Sequence, residues 1–309
     1  MKTQLKFRAK HGFTLVELLV AMAITTIIVT VLVSVTSVAL DTFNRSRSEL
    51  RASRQAKAMI DAMARDFESL VTRSGNKNEW LYATNSDPST IGGKLKSTSA
   101  SKLIFFTAAI DRYNGEIGTA KDKGGDVSCV AYNLTYSDPI SEGGTNFDTF
   151  VLNRMIVNPD VTFSNLLGKE NLADAFQQFN TKLVEPINFI CENIYQFTVT
   201  FNLQLPDLQD PTKLVSVPIK VGPTEISGNT VKQFVIAGNE LKISGDVTGY
   251  TALQLKGAKV TAITVAATAI SDFGIDQLRT REFGTPSKKS EFLAKNSYQY
   301  SKTVQISSR

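Results

Sequence analysis

The sequence predicts an α+β protein in which a long N-terminal helix, membrane-spanning in its first half and amphipathic in its second, packs on a mainly antiparallel β-sheet head. Three observations carry this. Phe13 to Leu40 holds a single charge, Glu17, and about 20 apolar residues suffice to cross a bilayer as a helix. No glycine or proline occurs from Phe13 to Ser74, although the 309-residue chain contains 19 glycines and 9 prolines. After Gly75 the composition turns to β-branched and aromatic residues, interrupted by Gly, Asp, Asn, Ser and Pro.

The elements follow in order. Residues 13–40 form the membrane-spanning half of the helix and residues 41–74 its amphipathic half, in which Ala52, Ala56, Met59, Ile60, Met63, Phe67, Leu70 and Val71 recur at the spacing of one buried stripe. At about 1.5 Å per residue the whole helix would rise roughly 90 Å. Gly75 is its expected C-terminal stop. Residues 75–309 form the head. Its expected strands are Leu103 to Ala109, Val127 to Tyr136, Phe150 to Val157, Ile194 to Leu205, Leu214 to Val221, Val231 to Ala237, Ala258 to Ile270 and Thr303 to Ile306. Alternation such as Phe197-Thr198-Val199-Thr200-Phe201 marks half-buried antiparallel strands. Short helices are expected over Glu170 to Leu183, and over Asp272 to Glu282 behind an Asp cap; Pro88 to Ser101 and Gly115 to Gly125 read as loops.

The N-terminus carries the most specific motif, the run Lys10-His11-Gly12-Phe13-Thr14-Leu15-Val16-Glu17-Leu18-Leu19-Val20. A glutamate in a bilayer costs several kcal/mol unless it is paired, so Glu17 calls for a partner or a function. The run resembles the prepilin leader and cleavage site of type IV pilins, pseudopilins and related filament proteins. The resemblance implies that residues 1–12 are a leader, and that a membrane peptidase cuts after Gly12 and methylates the new N-terminal Phe13. It also implies that Glu17, the fifth mature residue, pairs with the N-terminal amine of a neighbouring subunit and sets the stagger between subunits. The implied partners are a prepilin peptidase, other pilins or pseudopilins, and inner-membrane lipid. The implied place is a single-pass location in the inner membrane, with the head outside the cytoplasm in a filament.

Two plainer readings stay open for this segment. One is an ordinary signal peptide cut near Ser37-Val38-Ala39, and the other is an uncleaved anchor. Neither accounts for Gly12, Phe13 and Glu17 together. Orientation is not readable from charge, because Arg45, Arg47, Arg51 and Arg54 follow the apolar run while Lys2, Lys6, Arg8 and Lys10 precede it.

A head of this size is large for a repeating subunit and favours a minor or tip position. The order of parts in the head resembles the minor pseudopilin J of type II secretion systems and the prepilin-like Verru_Chthon cassette protein C. In these a segment like Glu192 to Val199 opens a long strand, one like Leu255 to Ile270 forms another, and the chain closes with one like Ser301 to Ile306. Trp80 is the only tryptophan, so the paired tryptophans of pseudopilin J have no counterpart.

Composition narrows the chemistry. The net charge is +5, but residues 13–74 carry seven basic and six acidic residues and residues 75–309 carry 23 of each, so the excess sits in the first 12 residues. A neutral head does not make a phosphate-binding surface, and no nucleic acid partner is expected. His11 is the sole histidine. Its removal with the leader would exclude Ser-His-Asp and Cys-His catalysis and histidine-based zinc sites. No enzyme activity, cofactor or metal is therefore expected, although carboxylate-only chemistry stays open. A secreted or membrane-anchored β-rich binding domain or enzyme using the prepilin export route is the alternative.

The remaining features are weaker. Cys129 and Cys191 either pair in one disulfide outside the cytoplasm or are two buried small side chains. Gly92-Gly93-Lys94 lacks the rest of a phosphate loop. Asp122, Gly124, Gly125 and Asp126 lack the alternating carboxylates of a calcium loop. Lys288-Lys289 is a solvated basic spot on an expected loop.

Overall fold

The computed structural model describes residues 14–73, 75–85, 97, 99–108, 125–139, 148–207, 209–222, 229–244, 247 and 249–306. It divides into two compact units, residues 1–48 and 49–309.

Helix α1, Leu15–Glu68, is the first element. The strands that follow are β1 (Glu79–Asn85), β2 (Ser101–Thr107), β3 (Ser128–Ser137), β4 (Thr149–Val157), β5 (Phe189–Glu192), β6 (Ile194–Pro206), β7 (Leu214–Val221), β8 (Thr230–Val231), β9 (Gln233–Ala237), β10 (Glu240–Ser244), β11 (Lys259–Ile270) and β12 (Ser297–Gln305). Short helices α2 (Pro159–Asn165), α3 (Leu172–Phe176) and α4 (Asn180–Leu183) lie between β4 and β5. Helix α5 (Ala252–Lys256) precedes β11, while α6 (Asp272–Thr280) and α7 (Pro286–Asn296) separate β11 from β12.

The strands form two sheets, ordered β10-β9-β1-β2-β3-β4-β5 and β12-β11-β6-β7-β8. Every pairing is antiparallel except the short β7 to β8 contact. The chain changes sheet at Asn193, whose φ of 63° is the one positive value at a non-glycine among the described residues. Asparagine tolerates this left-handed conformation better than most residues. Its side chain is also held: the Thr149 hydroxyl donates to Asn193 Oδ1 at 2.6 Å, and Asn193 Nδ2 donates to Asp272 at 2.5 Å. A bridge between Ala100 and Phe197 and the stack of Phe201 on Phe234, 3.9 Å between centroids, join the two sheets.

Within residues 49–309, the buried stripe of α1 packs on the seven-stranded sheet through Ala52, Ala56, Met59, Ile60, Met63, Ala64 and Phe67. Phe67 stacks on Phe105 at 4.4 Å. Burial of each large apolar side chain is worth about 1.5–3 kcal/mol. The flank of the helix meets β12, where Ser53 Oγ lies 2.6 Å from the Tyr300 hydroxyl and Lys302 donates to Asp61 at 3.0 Å. That partnership holds the Asp61 carboxyl below its usual range.

The stripe contains one charge that the periodicity does not announce. Asp66 is buried between Met63 and Phe67. Arg154 grips its carboxylate with both arms of the guanidinium, Nε to Oδ2 at 2.8 Å and Nη2 to Oδ1 at 2.7 Å. The Tyr132 hydroxyl donates to Oδ2 at 2.5 Å. Burial, followed by the adjacent carboxylate, pushes the Tyr132 phenol well above its ordinary pKa, so it stays a neutral donor.

Several expectations are corrected. The helix ends at Glu68, not Ser74, because Val71 N–H turns to the Phe106 carbonyl and Leu70 bridges Thr107, so the chain is already extended. Gly75 has a φ of +83° but lies beyond this departure and is no helix stop. Strands β1, β5 and β10 were not expected, and β12 begins at Ser297 because it pairs with β11 from Ile270 onward. The expected helix over Glu170 to Leu183 is broken by a 3-10 turn at Gln177–Phe179. Helix α6 is capped by Ser271, whose hydroxyl accepts from Gly274 N–H, while Asp272 serves Asn193. Lys288 and Lys289 sit in helix α7, not a loop.

Removing one partner of a buried ion pair leaves the other charge uncompensated, at a cost of about 3–5 kcal/mol. Arg154→Ala should therefore lower the unfolding free energy of the head by that order in urea titration, with Tyr132→Phe costing about 1–3 kcal/mol. Equal, small losses for both variants would mean that the Asp66 carboxylate is not the anchor described.

Candidate functional site

The candidate site is the start of α1. Thr14 and Glu17 form a reciprocal cap: Thr14 N–H donates to Glu17 Oε2 at 2.9 Å, the Thr14 hydroxyl donates to the same oxygen at 3.0 Å, and Glu17 N–H donates to Thr14 Oγ1 at 3.2 Å. This is the Thr-x-x-Glu capping box, which satisfies backbone donors left orphaned at a helix start. A carboxylate in the first turn also faces the positive end of the helix dipole. The sequence reading gave Glu17 an external partner and did not single out Thr14; the three-residue spacing of the box was the available signal.

From Leu15 to Leu40 the helix is apolar on all sides, and its side chains are exposed, Leu15 by 79% and Leu32 by 64%. The most apolar window has a mean hydropathy of 2.7. At helical pitch this stretch rises about 39 Å, against about 30 Å of hydrocarbon in a bilayer. Its threonine hydroxyls are answered internally, since Thr25, Thr26, Thr30 and Thr36 each donate to the carbonyl four residues earlier at 2.7–2.8 Å. Back-bonding of this kind removes the need for a polar partner in lipid. Glu17 is then the only ionised group along the run.

Gly12 and Phe13 lie outside the described residues, as do His11, Gly92 to Lys94, Asp122 and Gly124. Gly125 and Asp126 are described, and among the described residues no group of three His, Cys, Asp or Glu is placed to hold a metal. An open polar groove of about 490 Å³ runs along Asn165, Lys169, Glu170, Asn171 and Asp174. Its Asp174 carboxylate is already engaged by Asn171 and Gln177.

Cys129 and Cys191 do not pair. Both thiols are free and buried. On β4, Cys129 stands opposite Val157 and Cys191 opposite Leu152, five positions apart, an odd offset that puts the two side chains on opposite faces of the sheet. With β4 between them and about 17 Å of offset along the strands, they are far beyond the roughly 7 Å Cα limit of a disulfide. Burial pushes the Cys191 thiol up to about 12, and the Cys129 thiol higher still.

The family described as the prokaryotic N-terminal methylation motif matches residues 7–33. No curated protein and no solved structure matches the chain. The motif spans the Thr14–Glu17 cap and most of the apolar run, supports a pilin-like protein anchored by a single N-terminal helix, and implies processing by a prepilin peptidase and assembly with other pilins.

Thiols with raised pKa stay protonated well above the ordinary thiol range of about 8.5 and do not act as nucleophiles. The native chain should resist iodoacetamide at mildly alkaline pH, whereas the unfolded chain should gain two carbamidomethyl groups without reductant. Intact-mass spectrometry reads both, and tags appearing only after reduction would mean a disulfide.

Proposed function

We propose that this chain is a non-enzymatic structural subunit, a minor pilin or pseudopilin, of a type II secretion-like or type IV pilus-like filament. In this reading it is cut after Gly12, methylated on Phe13, held in the inner membrane with the head outside the cytoplasm, and packed with other pilins or pseudopilins. The observation that carries the reading is the single carboxylate of Glu17, at the mouth of the apolar stretch to Leu40, which is otherwise uncharged, and within the matched methylation motif. An ionisable group carried into a bilayer with no role would be selected against on cost alone.

The internal cap refines how such a subunit would wait for assembly. Before a neighbour arrives, Thr14 answers the carboxylate of Glu17. Pairing with an incoming amine would exchange hydrogen bonds from neutral donors for a charge pair, which is worth more where water is excluded. The segments likened to pseudopilin J and Verru_Chthon cassette protein C lie in strands β6, β11 and β12 in that chain order, which supports reading the head as one of that kind.

Mass spectrometry of the N-terminal peptide from host membranes should find a chain beginning at N-methylated Phe13. Glu17→Ala should leave cleavage intact and reduce filament incorporation at least about tenfold, the loss of roughly 1.4 kcal/mol of pairing or more. A bulky residue at Gly12 should block cleavage. A start near Leu40, or full incorporation of Glu17→Ala, would overturn the reading.

A further inference from the structure

The seven-stranded sheet ends on β5, and the turn that feeds this edge strand is apolar and open. Val184, Ile187 and Phe189 are exposed by 47%, 68% and 36%, and Pro186 among them is exposed as well. Single exposed apolar side chains are ordinary, but three large ones within six residues make a contiguous patch of the kind that marks an interaction surface. Glu185 is the one charge inside it. The charge of β5 itself, Glu192, is spent on Arg51.

Helix α1 carries the complement. Leu50, Arg54 and Lys57 follow one another at i, i+4 and i+7 and so share one stripe of the helix, apart from the buried stripe of Ala52, Ala56, Met59 and Met63. All three are exposed, Leu50 by 54%. The stripe offers an apolar side chain flanked by cations where the patch offers apolar side chains around a carboxylate. Among the described residues neither Arg54 nor Glu185 has an ion-pair partner. Within one chain the two surfaces do not meet, because α1 reaches β5 through Arg51 at Glu192, and the patch lies at the opposite end of that strand.

We propose that the Val184–Phe189 turn of one copy receives the Leu50–Lys57 stripe of a second copy. Leu50 seats among Val184, Ile187 and Phe189, and Arg54 and Lys57 bracket Glu185. Apolar burial supplies the attraction, while the charges fix the orientation and reject other partners. Because two different surfaces meet, the contact is heterologous: it leaves a free patch at one end and a free stripe at the other, and so propagates in a row instead of closing a pair. The inference deepens the filament reading and rests on it only for neighbours that stand side by side in one membrane.

The test cross-links the full chain in host membranes. One copy carries Leu50→Cys and a differently tagged copy carries Ile187→Cys; the native thiols are buried and stay silent. A short bismaleimide should join the two when they are expressed together, and should join neither to itself when it is expressed alone. Glu185→Arg, added to the Ile187→Cys copy, should lower the yield at least about tenfold with an unchanged melting temperature, and Arg54→Glu in the other copy should restore it. All four positions are exposed, so folding is not at stake. No mixed product, equal products from either copy alone, or a yield indifferent to the charge reversals would overturn the proposal. So would capture of a different membrane protein by both variants in place of the second copy. Any of these results beside a methylated Phe13 would remove this contact and leave the filament reading standing.

Discussion

A carboxylate buried under the last turns of α1 fixes where the helix meets the seven-stranded sheet. Apolar packing alone is non-directional and tolerates small slides, whereas the fork of Arg154 on Asp66 accepts one register and one rotation. Around that point the other contacts fall into place: Phe67 on Phe105, the turn of the chain into a bridge at Leu70, and the Thr107 hydroxyl donating to the Asp66 carbonyl. The pair contributes specificity more than net stability, since its desolvation offsets much of its attraction. What it forbids is a helix that docks elsewhere.

The two ends of α1 obey the same rule in different solvents. A polar group deprived of water must find a partner, and in each case it is supplied from the helix or from the sheet beneath it. At the far end Tyr132 and Arg154 answer Asp66; at the near end Thr14 answers Glu17, and threonine hydroxyls answer to carbonyls one turn back. The difference is reversibility. Asp66 is closed in by packed side chains, while the carboxylate of Glu17 is bound only by hydrogen bonds to its own first turn and can be exchanged for a stronger partner.

How much of this was legible in the sequence depends on which residues carried local information. The helix and six of its buried stripe residues, Ala52, Ala56, Met59, Ile60, Met63 and Phe67, could be read because a period of 3.6 recurs over many turns. Long alternating strands such as β6 and β7 were placed within a residue or two. Strand β1, Glu-Trp-Leu-Tyr-Ala-Thr-Asn, is covered on both faces and shows no alternation, so periodicity could not find it. Strand β10 needed the tight Gly238-Asn239 turn to be recognised, where Gly238 has a φ of +56° and its missing Cβ would lie 1.7 Å from the Asn76 carbonyl oxygen. The N-terminal motif was legible because it is contiguous. The Asp66 cluster was not, because its members are 66 and 88 residues apart.

The same distinction explains why the two sheets differ in what they leave open. The seven-stranded sheet is covered on one face by α1 and the five-stranded sheet, and meets α2 to α4 on the other, so its polar residues turn inward to partners, as Lys102 does in donating to Asn180 at 2.8 Å. Burial lowers the pKa of that lysine. The five-stranded sheet is buried on one face only, and the alternation along the middles of β6, β11 and β12 follows from that. Alternation demands polar residues outward but does not dictate which ones. Lysine and glutamate would have met the demand, and threonine, serine, asparagine and glutamine stand there. Threonine is itself a favoured strand residue, and the Thr264 and Thr303 hydroxyls, 2.9 Å apart, tie neighbouring strands together, so the outward choice serves the sheet as well as its solvation.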